Sequence, residues 1–151
     1  MIFNHFSPNS RVWLFIANQK LSPSQFEQLH FQFSNFCDTW KSHGTPLHGE
    51  IKCIHNQLIA FGVNQQKLCG RSVDALVRFV RETEDSLGLD LLNRSRMAYL
   101  KNDVFNTFLF HEMKNLKITS SISSTTMITN NFIEQNGEDL FIPLNQSPFK
   151  D

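Results

Sequence analysis

The residues best suited to chemistry occupy positions 69–74, where the sequence reads CGRSVD. A helical apolar pattern begins directly after them, so this run lies at the predicted start of a helix. The first backbone N–H groups of a helix are free and the helix dipole is positive there, so a helix start can bind an anion or lower the pKa of a thiol. The sequence therefore offers a candidate nucleophile, Cys69, and a candidate binding set, Arg71, Ser72, Asp74 and Arg78.

The same residues also have a purely structural interpretation. A serine at the N-cap accepts a hydrogen bond from a free N–H group, and an acidic residue nearby complements the helix dipole. Ser72 would then be the N-cap, Asp74 would stabilise the dipole, and Cys69 would pack as a small apolar residue. Because such caps occur at most helix starts, this interpretation is the more common one, and both stay open.

Catalysis by Cys69 would also need a base, and His43, His48 and His55 precede it in the chain. The sequence alone does not bring any of them within hydrogen-bonding distance of the thiol. Cys53 could share a metal ion with His48 or His55, but two ligands fall short of the four in a structural zinc site. No metal site is predicted.

Phosphate and nucleic-acid chemistry find little support. The sequence has neither a GxxxxGK[ST] nor a GxGxxG loop, so no nucleotide or other cofactor is predicted. Arg71, Arg78 and Arg81 share roughly one side of the predicted helix, which could contact RNA. Fourteen basic and fourteen acidic residues give a net charge of zero, however, and arginines beside glutamates are common on a solvated helix face. No nucleic-acid partner is predicted.

The length of 151 residues suits one domain, or one domain with a small appendage. The three cysteines are odd in number and form no CxxC pair, which favours a reducing compartment. The N-terminal residues lack the basic start and apolar stretch of a signal peptide, and no apolar run approaches the roughly 20 residues that span a bilayer. We therefore expect a cytoplasmic protein without a membrane span.

Apolar periodicity and capping residues predict strands and helices in the first 100 residues. The predicted elements are a strand at 11–18, a helix from Pro23 capped by Ser22, a hairpin with strands 50–55 and 58–63, a helix from Ser72 to Gly88 and a strand at 96–100. This is the order of a ferredoxin-like βαββαβ fold, an antiparallel sheet with two helices on one face. The first strand is apolar on both sides, so the C-terminal segment or a second subunit should cover the other face.

The sequence changes character after residue 100. A helix is predicted at 105–116, the Ser/Thr-rich run 118–129 suits either a strand or a loop, and a last short strand is predicted at 140–144. We therefore predict an α+β core over residues 1–100 and a small C-terminal α/β extension over 101–151 that packs on it.

The runs RVWLF at 11–15, FCDTW at 36–40, CGRSVDALVRFV at 69–80 and LGLDLLNR at 87–94 resemble a family of short uncharacterised bacterial proteins. The similarity covers about residues 11 to 100 and is most specific in the stretch 69–79. Proteins of that family often carry the automatic label "ABC transporter ATPase". That activity requires a P-loop lysine, which this chain lacks, so ATPase activity is not expected.

The C-terminal part resembles the small GYF-like modules appended to many bacterial proteins. The resemblance lies in the order of a strand with Tyr99, a turn at Asn102-Asp103, a predicted helix and a strand beginning at Thr126, although the glycine expected after the helix is missing. It implies a protein-contact role for the C-terminal extension.

No complete catalytic constellation is present, and the apolar faces exceed what one small core needs. We therefore expect a non-catalytic intracellular binding or assembly protein that contacts a protein partner or a second copy of itself. The alternative is a thiol-dependent or anion-binding enzyme centred on residues 69–72.

Overall fold

The computed structural model describes residues 1–150, which form a mixed α+β fold with antiparallel sheets. The chain divides into two compact units. Unit 1 comprises Met1–Leu92 and Glu134–Glu138, and unit 2 comprises Asn93–Ile133 and the residues from Asp139 onward. The division therefore falls at residue 92 and not at residue 100, and a short C-terminal segment belongs to unit 1. No helix among the described residues is long and apolar enough to cross a membrane.

The strands and helices of unit 1 follow the predicted order up to residue 88, with one added hairpin. They are β1 (Val12–Ile16), α1 (Pro23–Cys37), β2 (Lys41–Ser42), β3 (Thr45–Pro46), β4 (Gly49–Ile54), β5 (Leu58–Val63) and α2 (Gly70–Leu87). A three-stranded antiparallel sheet has the order β1-β5-β4, while β2 and β3 pair with each other.

The helix α1 and the hairpin of β4 and β5 form where local sequence signals predicted them. The Ser22 hydroxyl accepts a hydrogen bond from the Gln25 N–H at 3.1 Å, and the Gln25 side chain accepts one from the Ser22 N–H at 2.9 Å. This reciprocal capping box fixes the start of α1. His55 and Asn56 adopt φ values of 52° and 59° and form the tight turn that connects β4 to β5. Both the capped helix and the hairpin are confirmed.

Aromatic rings fill the core between the sheet and the two helices. The Phe33 ring of α1 lies 5.0 Å from Phe61 of β5, 5.7 Å from Phe79 of α2 and 6.3 Å from Trp40, measured between centroids. All four side chains are buried. Rings of this size bury large apolar areas, so this cluster dominates the stability of unit 1.

The N-terminal segment covers part of the other face of the sheet. Phe3 is fully buried, and its ring lies so close to Gly62 that a Cβ there would come within 2.5 Å of it. The buried Asn136 anchors this segment, because its side chain accepts the Phe3 N–H and donates to the Phe3 carbonyl, each at 2.7 Å. The cover at this point is therefore the N-terminal segment, held by a residue from the C-terminal part.

The strand predicted at 96–100 forms, but it does not join the sheet of unit 1. It becomes β6 (Arg96–Lys101) of unit 2, where it pairs with two strands of that unit. The edge of β1 is occupied by Glu134–Glu138 instead, since the Val12 N–H donates to the Glu134 carbonyl at 2.9 Å. A ferredoxin-like sheet would place its fourth strand at this edge.

Unit 2 contains a four-stranded antiparallel sheet of order β7-β6-β8-β9. After β6 come β7 (Val104–Leu109), a 3₁₀ turn (Phe110–Glu112), α3 (Met113–Ile118), β8 (Met127–Thr129), β9 (Phe141–Pro143) and a second 3₁₀ turn (Leu144–Gln146). The helix predicted at 105–116 is thus wrong over its first half. Pairing of every residue of β7 with β6 overrides the helical pattern there. The predicted last strand is confirmed as β9.

Candidate functional site

The helix start carries the residues expected there, but not in the expected roles. α2 begins at Gly70, so Cys69 is the N-cap and makes no capping hydrogen bond with its side chain. Ser72 lies inside the first turn with only 2% of its surface exposed, and its hydroxyl donates to the Lys41 carbonyl. The prediction that Ser72 is the N-cap is therefore wrong. Asp74 is exposed and lies beyond the first turn, so it is not placed to complement the helix dipole as predicted.

A hairpin that sequence reasoning missed completes the surroundings of Cys69. β2 and β3 meet at His43 and Gly44, whose φ values of 50° and 79° form a tight turn. The Ser42 hydroxyl, at the end of β2, accepts the Cys69 N–H at 3.0 Å. The available signal was the Ser-His-Gly run before Pro46, because a glycine at such a position permits a two-residue turn with positive φ.

The Cys69 thiol lies in a cradle of hydrogen-bonding groups. Its Sγ is 3.0 Å from the Ser72 Oγ. Hydrogen bonds from the Ser72 side chain, and then from the Ser72 backbone and the Ser42 side chain, lower the pKa of the Cys69 thiol from 9.0 to about 6, with a smaller contribution from the His43 backbone. Each of these bonds stabilises the thiolate over the thiol. The lowered pKa favours the thiolate at neutral pH more than in an ordinary cysteine.

Hydrogen bonds of Ser72 link the Cys69 thiol to the packed core of unit 1. Its hydroxyl has one proton and two acceptors in reach, the Lys41 carbonyl and the Cys69 Sγ, so it donates to one of them at a time. The Ser72 carbonyl accepts the Trp40 indole N–H at 2.9 Å. Trp40 belongs to the aromatic core, which therefore holds the start of α2 in place.

The pKa values of the other two cysteine thiols are shifted in the opposite direction. Burial raises the pKa of the Cys37 thiol to about 11, although a hydrogen bond with the Gly49 backbone opposes the increase. Burial also raises the pKa of the Cys53 thiol to about 11. A thiol with such a pKa is almost wholly protonated at neutral pH and reacts slowly with electrophiles. Among the three free cysteines, Cys69 is thus the one whose pKa favours the thiolate.

The remaining predicted site residues do not form one site. Arg71 is exposed within the first turn of α2, beside Cys69. Arg78 is also exposed, but nine residues after Cys69 correspond to about 13 Å along a helix. His48 and His55 flank opposite ends of β4. Within residues 1–150 no three His, Cys, Asp or Glu side chains are grouped so that they could hold a metal ion.

Unit 2 has a second candidate site that the sequence did not indicate. It is an open groove of about 610 Å³, which we call the unit 2 groove. Its apolar lining residues are Phe110, Met113, Ile118, Pro148 and Phe149, and its basic ones are His111, Lys114 and Lys117. Phe132 extends the apolar surface, since its ring centroid is 5.8 Å from that of Phe149. The groove is lined by residues of α3 and by Pro148 and Phe149, which are distant in the sequence, so no local pattern could reveal it.

Comparison of the chain with protein-family models, with curated proteins and with solved structures returned no match in any of the three. Its function must therefore be inferred from the two sites.

Proposed function

We propose that this chain is a non-catalytic binding protein that contacts a protein partner through the unit 2 groove. The observation that carries the proposal is the exposure of large apolar side chains around that groove. Phe110, Ile118 and Phe132 are 49%, 71% and 62% exposed. Single exposed apolar residues are common, but neighbouring ones around one groove are typical of an interaction surface.

The types of side chain that line the groove support a macromolecular partner. Aromatic side chains and methionine are enriched at the centres of protein interfaces, and methionine adapts to different partners because it is flexible. Phe110 and Phe149 are in ring contact at 5.2 Å, and Met113 packs beneath them in the core of unit 2. Such a surface gains free energy when a partner removes it from water.

Site-specific photocrosslinking tests this proposal. Benzoylphenylalanine replaces Phe132 in one variant and Phe31 in a matched control, because Phe31 is 65% exposed on α1 of unit 1. We expect one protein from the source cells to crosslink at position 132 and not at position 31. That protein, once purified, should bind the wild-type chain at least about tenfold more tightly than the F110S variant. Equal crosslinking at both positions, or equal affinities, would exclude the groove as the contact surface.

A second function, thiol chemistry at Cys69, is favoured by the hydroxyl cradle described above. The Cys69 thiolate would attack one sulfur of a small disulfide, so that a mixed disulfide forms and the other half leaves as a thiolate. Arg71, exposed two residues after Cys69 in the chain, would attract an anionic disulfide to this end of α2. No partner base is required, because the lowered pKa already favours the thiolate near neutral pH.

The rate of alkylation by iodoacetamide against pH tests the second function. We expect Cys69 to be modified with a midpoint near pH 6, and Cys37 and Cys53 to serve as slow internal controls in the same mass spectrum. The S72A variant should shift the midpoint toward the value of an ordinary thiol, since it removes the largest contribution to the low pKa. A wild-type midpoint near pH 9 would rule out an activated Cys69.

We also propose that the chain is a bacterial cytoplasmic protein related to the short proteins that it resembles, with a ferredoxin-like arrangement in unit 1. The β1-β5-β4 order, with α1 between β1 and β4 and α2 after β5, supports the fold, since it matches three of the four ferredoxin-like strands. The three unpaired cysteines support a reducing compartment.

A further inference from the structure

The chemistry of the unit 2 groove narrows the class of partner, provided that the groove is the binding surface proposed above. Its floor is apolar and its exposed aromatic residue, Phe110, lies at the start of the 3₁₀ turn that leads into α3. Met113 is buried beneath this floor in the core of unit 2, so Phe110 and Ile118 are the residues that offer exposed apolar surface. A partner must therefore supply apolar side chains that fill the space between the turn and the end of the chain.

The charged rim of the groove has one sign. Lys114 and Lys117 line it together with His111, and none of the described lining residues is acidic. Lys117 is half-buried and its ammonium group donates to the Phe149 carbonyl at 3.0 Å, which holds its aliphatic chain along the floor. Lys114 is exposed and lines the groove, so its charge is accessible to a partner there. A partner with acidic residues beside its apolar ones would complement this rim.

From this combination we infer that the unit 2 groove binds an acidic amphipathic helical segment of another protein. Apolar residues of the segment at i, i+3 or i+4, and i+7 would lie on Phe110, Ile118 and Phe149. Aspartate or glutamate residues at the border of that apolar face would lie next to Lys114. A volume of about 610 Å³ is open along one side, which suits a few side chains of a helix whose backbone stays outside.

Peptide selection on the intact protein tests this inference and does not require the partner to be identified first. Phage that display random peptides of about 16 residues, more than four helical turns, are selected on the immobilised full-length chain. We expect the enriched sequences to carry leucine, isoleucine or aromatic residues at helical spacing with acidic residues beside them. A selected peptide, labelled with fluorescein, then serves as the probe in anisotropy titrations.

Matched variants separate apolar from charge recognition. F110S should weaken binding of the probe at least about tenfold, whereas V104S, which removes another exposed apolar residue of unit 2, should leave it unchanged. K114E should weaken binding by about threefold to tenfold at low salt, and K101E, an exposed lysine outside the groove, should not. The K114E effect should shrink as salt concentration rises, because screening removes it.

The outcomes distinguish the partner class from the groove itself. Selected peptides that depend on Phe110 but carry no acidic residues, or that bind K114E as well as wild type, would overturn the acidic class and leave the groove as the contact surface. Peptides insensitive to F110S, or no enrichment at all, would overturn both proposals. Displacement of the probe by laurate below its micelle concentration would assign the groove to anionic amphiphiles. A dimer in light scattering that F110S abolishes would assign it to a second copy of this chain.

Discussion

The main aromatic cluster of unit 1 is buried, whereas the aromatic residues around the unit 2 groove are partly exposed. In unit 1, Phe33, Phe61 and Phe79 are enclosed between a sheet and two helices. In unit 2, Phe110 and Phe132 remain exposed although both lie near Phe149. A ring within a core stabilises the fold, whereas a ring in water adds little to folding and is available for binding. The difference separates a packed aromatic core in unit 1 from an exposed aromatic surface in unit 2, which is the surface that we propose as the contact site.

The aromatic side chains of the two units offer separate reporters of this difference. Both tryptophans, Trp13 and Trp40, belong to unit 1, and the single tyrosine, Tyr99, belongs to unit 2. Tryptophan fluorescence therefore follows the unfolding of unit 1 alone.

The largest expected effect is the loss of stability when a core ring of unit 1 is removed. F33A should lower the free energy of unfolding of unit 1 by about 3–5 kcal/mol, because Phe33 contacts four other rings and its loss leaves a cavity. F110A should lower the free energy of unfolding of unit 2 by less than about 0.5 kcal/mol. Urea titrations measure both, with tryptophan fluorescence as the reporter of unit 1 and the fluorescence of Tyr99 as the reporter of unit 2.

A milder variant guards against complete unfolding of F33A. F33L keeps most of the side-chain volume and should cost clearly less than F33A. Losses of similar size for F33A and F110A would show that the two sets of aromatic residues do not differ in the way that their burial indicates.

A smaller effect is expected where the C-terminal part of the chain enters unit 1. N136A removes the side chain that accepts the Phe3 N–H, and a buried group left without a hydrogen bond costs about 1–3 kcal/mol, whereas the Phe3 carbonyl still accepts the Phe6 N–H at 3.3 Å. The exposed amide of Asn9, in the same N-terminal segment, provides the control, and N9A should cost less than about 0.5 kcal/mol. Chemical denaturation of both variants measures the difference, and equal stabilities would mean that Asn136 does not anchor the segment.

Features encoded by neighbouring residues could be predicted, and features that depend on distant partners could not. The capping box of Ser22 and Gln25 lies within four residues, so the sequence was enough to predict α1. The strand at Arg96–Lys101 was predicted, but not its sheet, because its partners are β7 and β8. The apolar residues of 105–116 suit both a helix and a strand, and pairing with β6 decided the outcome for the first half.

The thiol site shows the same limit. Its position at a helix start was predicted from the sequence, whereas the cap residue and the cradle were not. Ser42 belongs to a hairpin and lies 27 residues before Cys69 in the chain. The Ser72 hydroxyl donates to the Lys41 carbonyl and does not cap the helix. Such contacts form only when the chain has folded, so residue types and spacing could not reveal them.

The smallest expected effect is a pH dependence confined to unit 1, which contains all three cysteines. Hydrogen bonds with Ser72 and Ser42 lower the pKa of Cys69 to about 6 in the folded chain, compared with 9.0 for a free thiol. Between pH 6 and pH 9 the folded state therefore binds fewer protons at Cys69 than the unfolded state, and stability rises with pH. This contribution is complete above pH 9 and is lost as the pH falls through 6.

Cys37 and Cys53 act in the opposite direction at higher pH. Their pKa values of about 11 mean that the folded state keeps protons that the unfolded state releases above pH 9, so stability falls there. Urea midpoints of wild type and C69S are measured by tryptophan fluorescence under reducing conditions. Their difference isolates the pH-dependent contribution of Cys69 to stability, because serine does not ionise and the contributions of the other groups cancel. The stability advantage of wild type over C69S should grow from pH 6 to pH 9 and then stay constant. A difference independent of pH would show that the thiolate gains nothing from the cradle, and the contrast between the two units would then rest on packing alone.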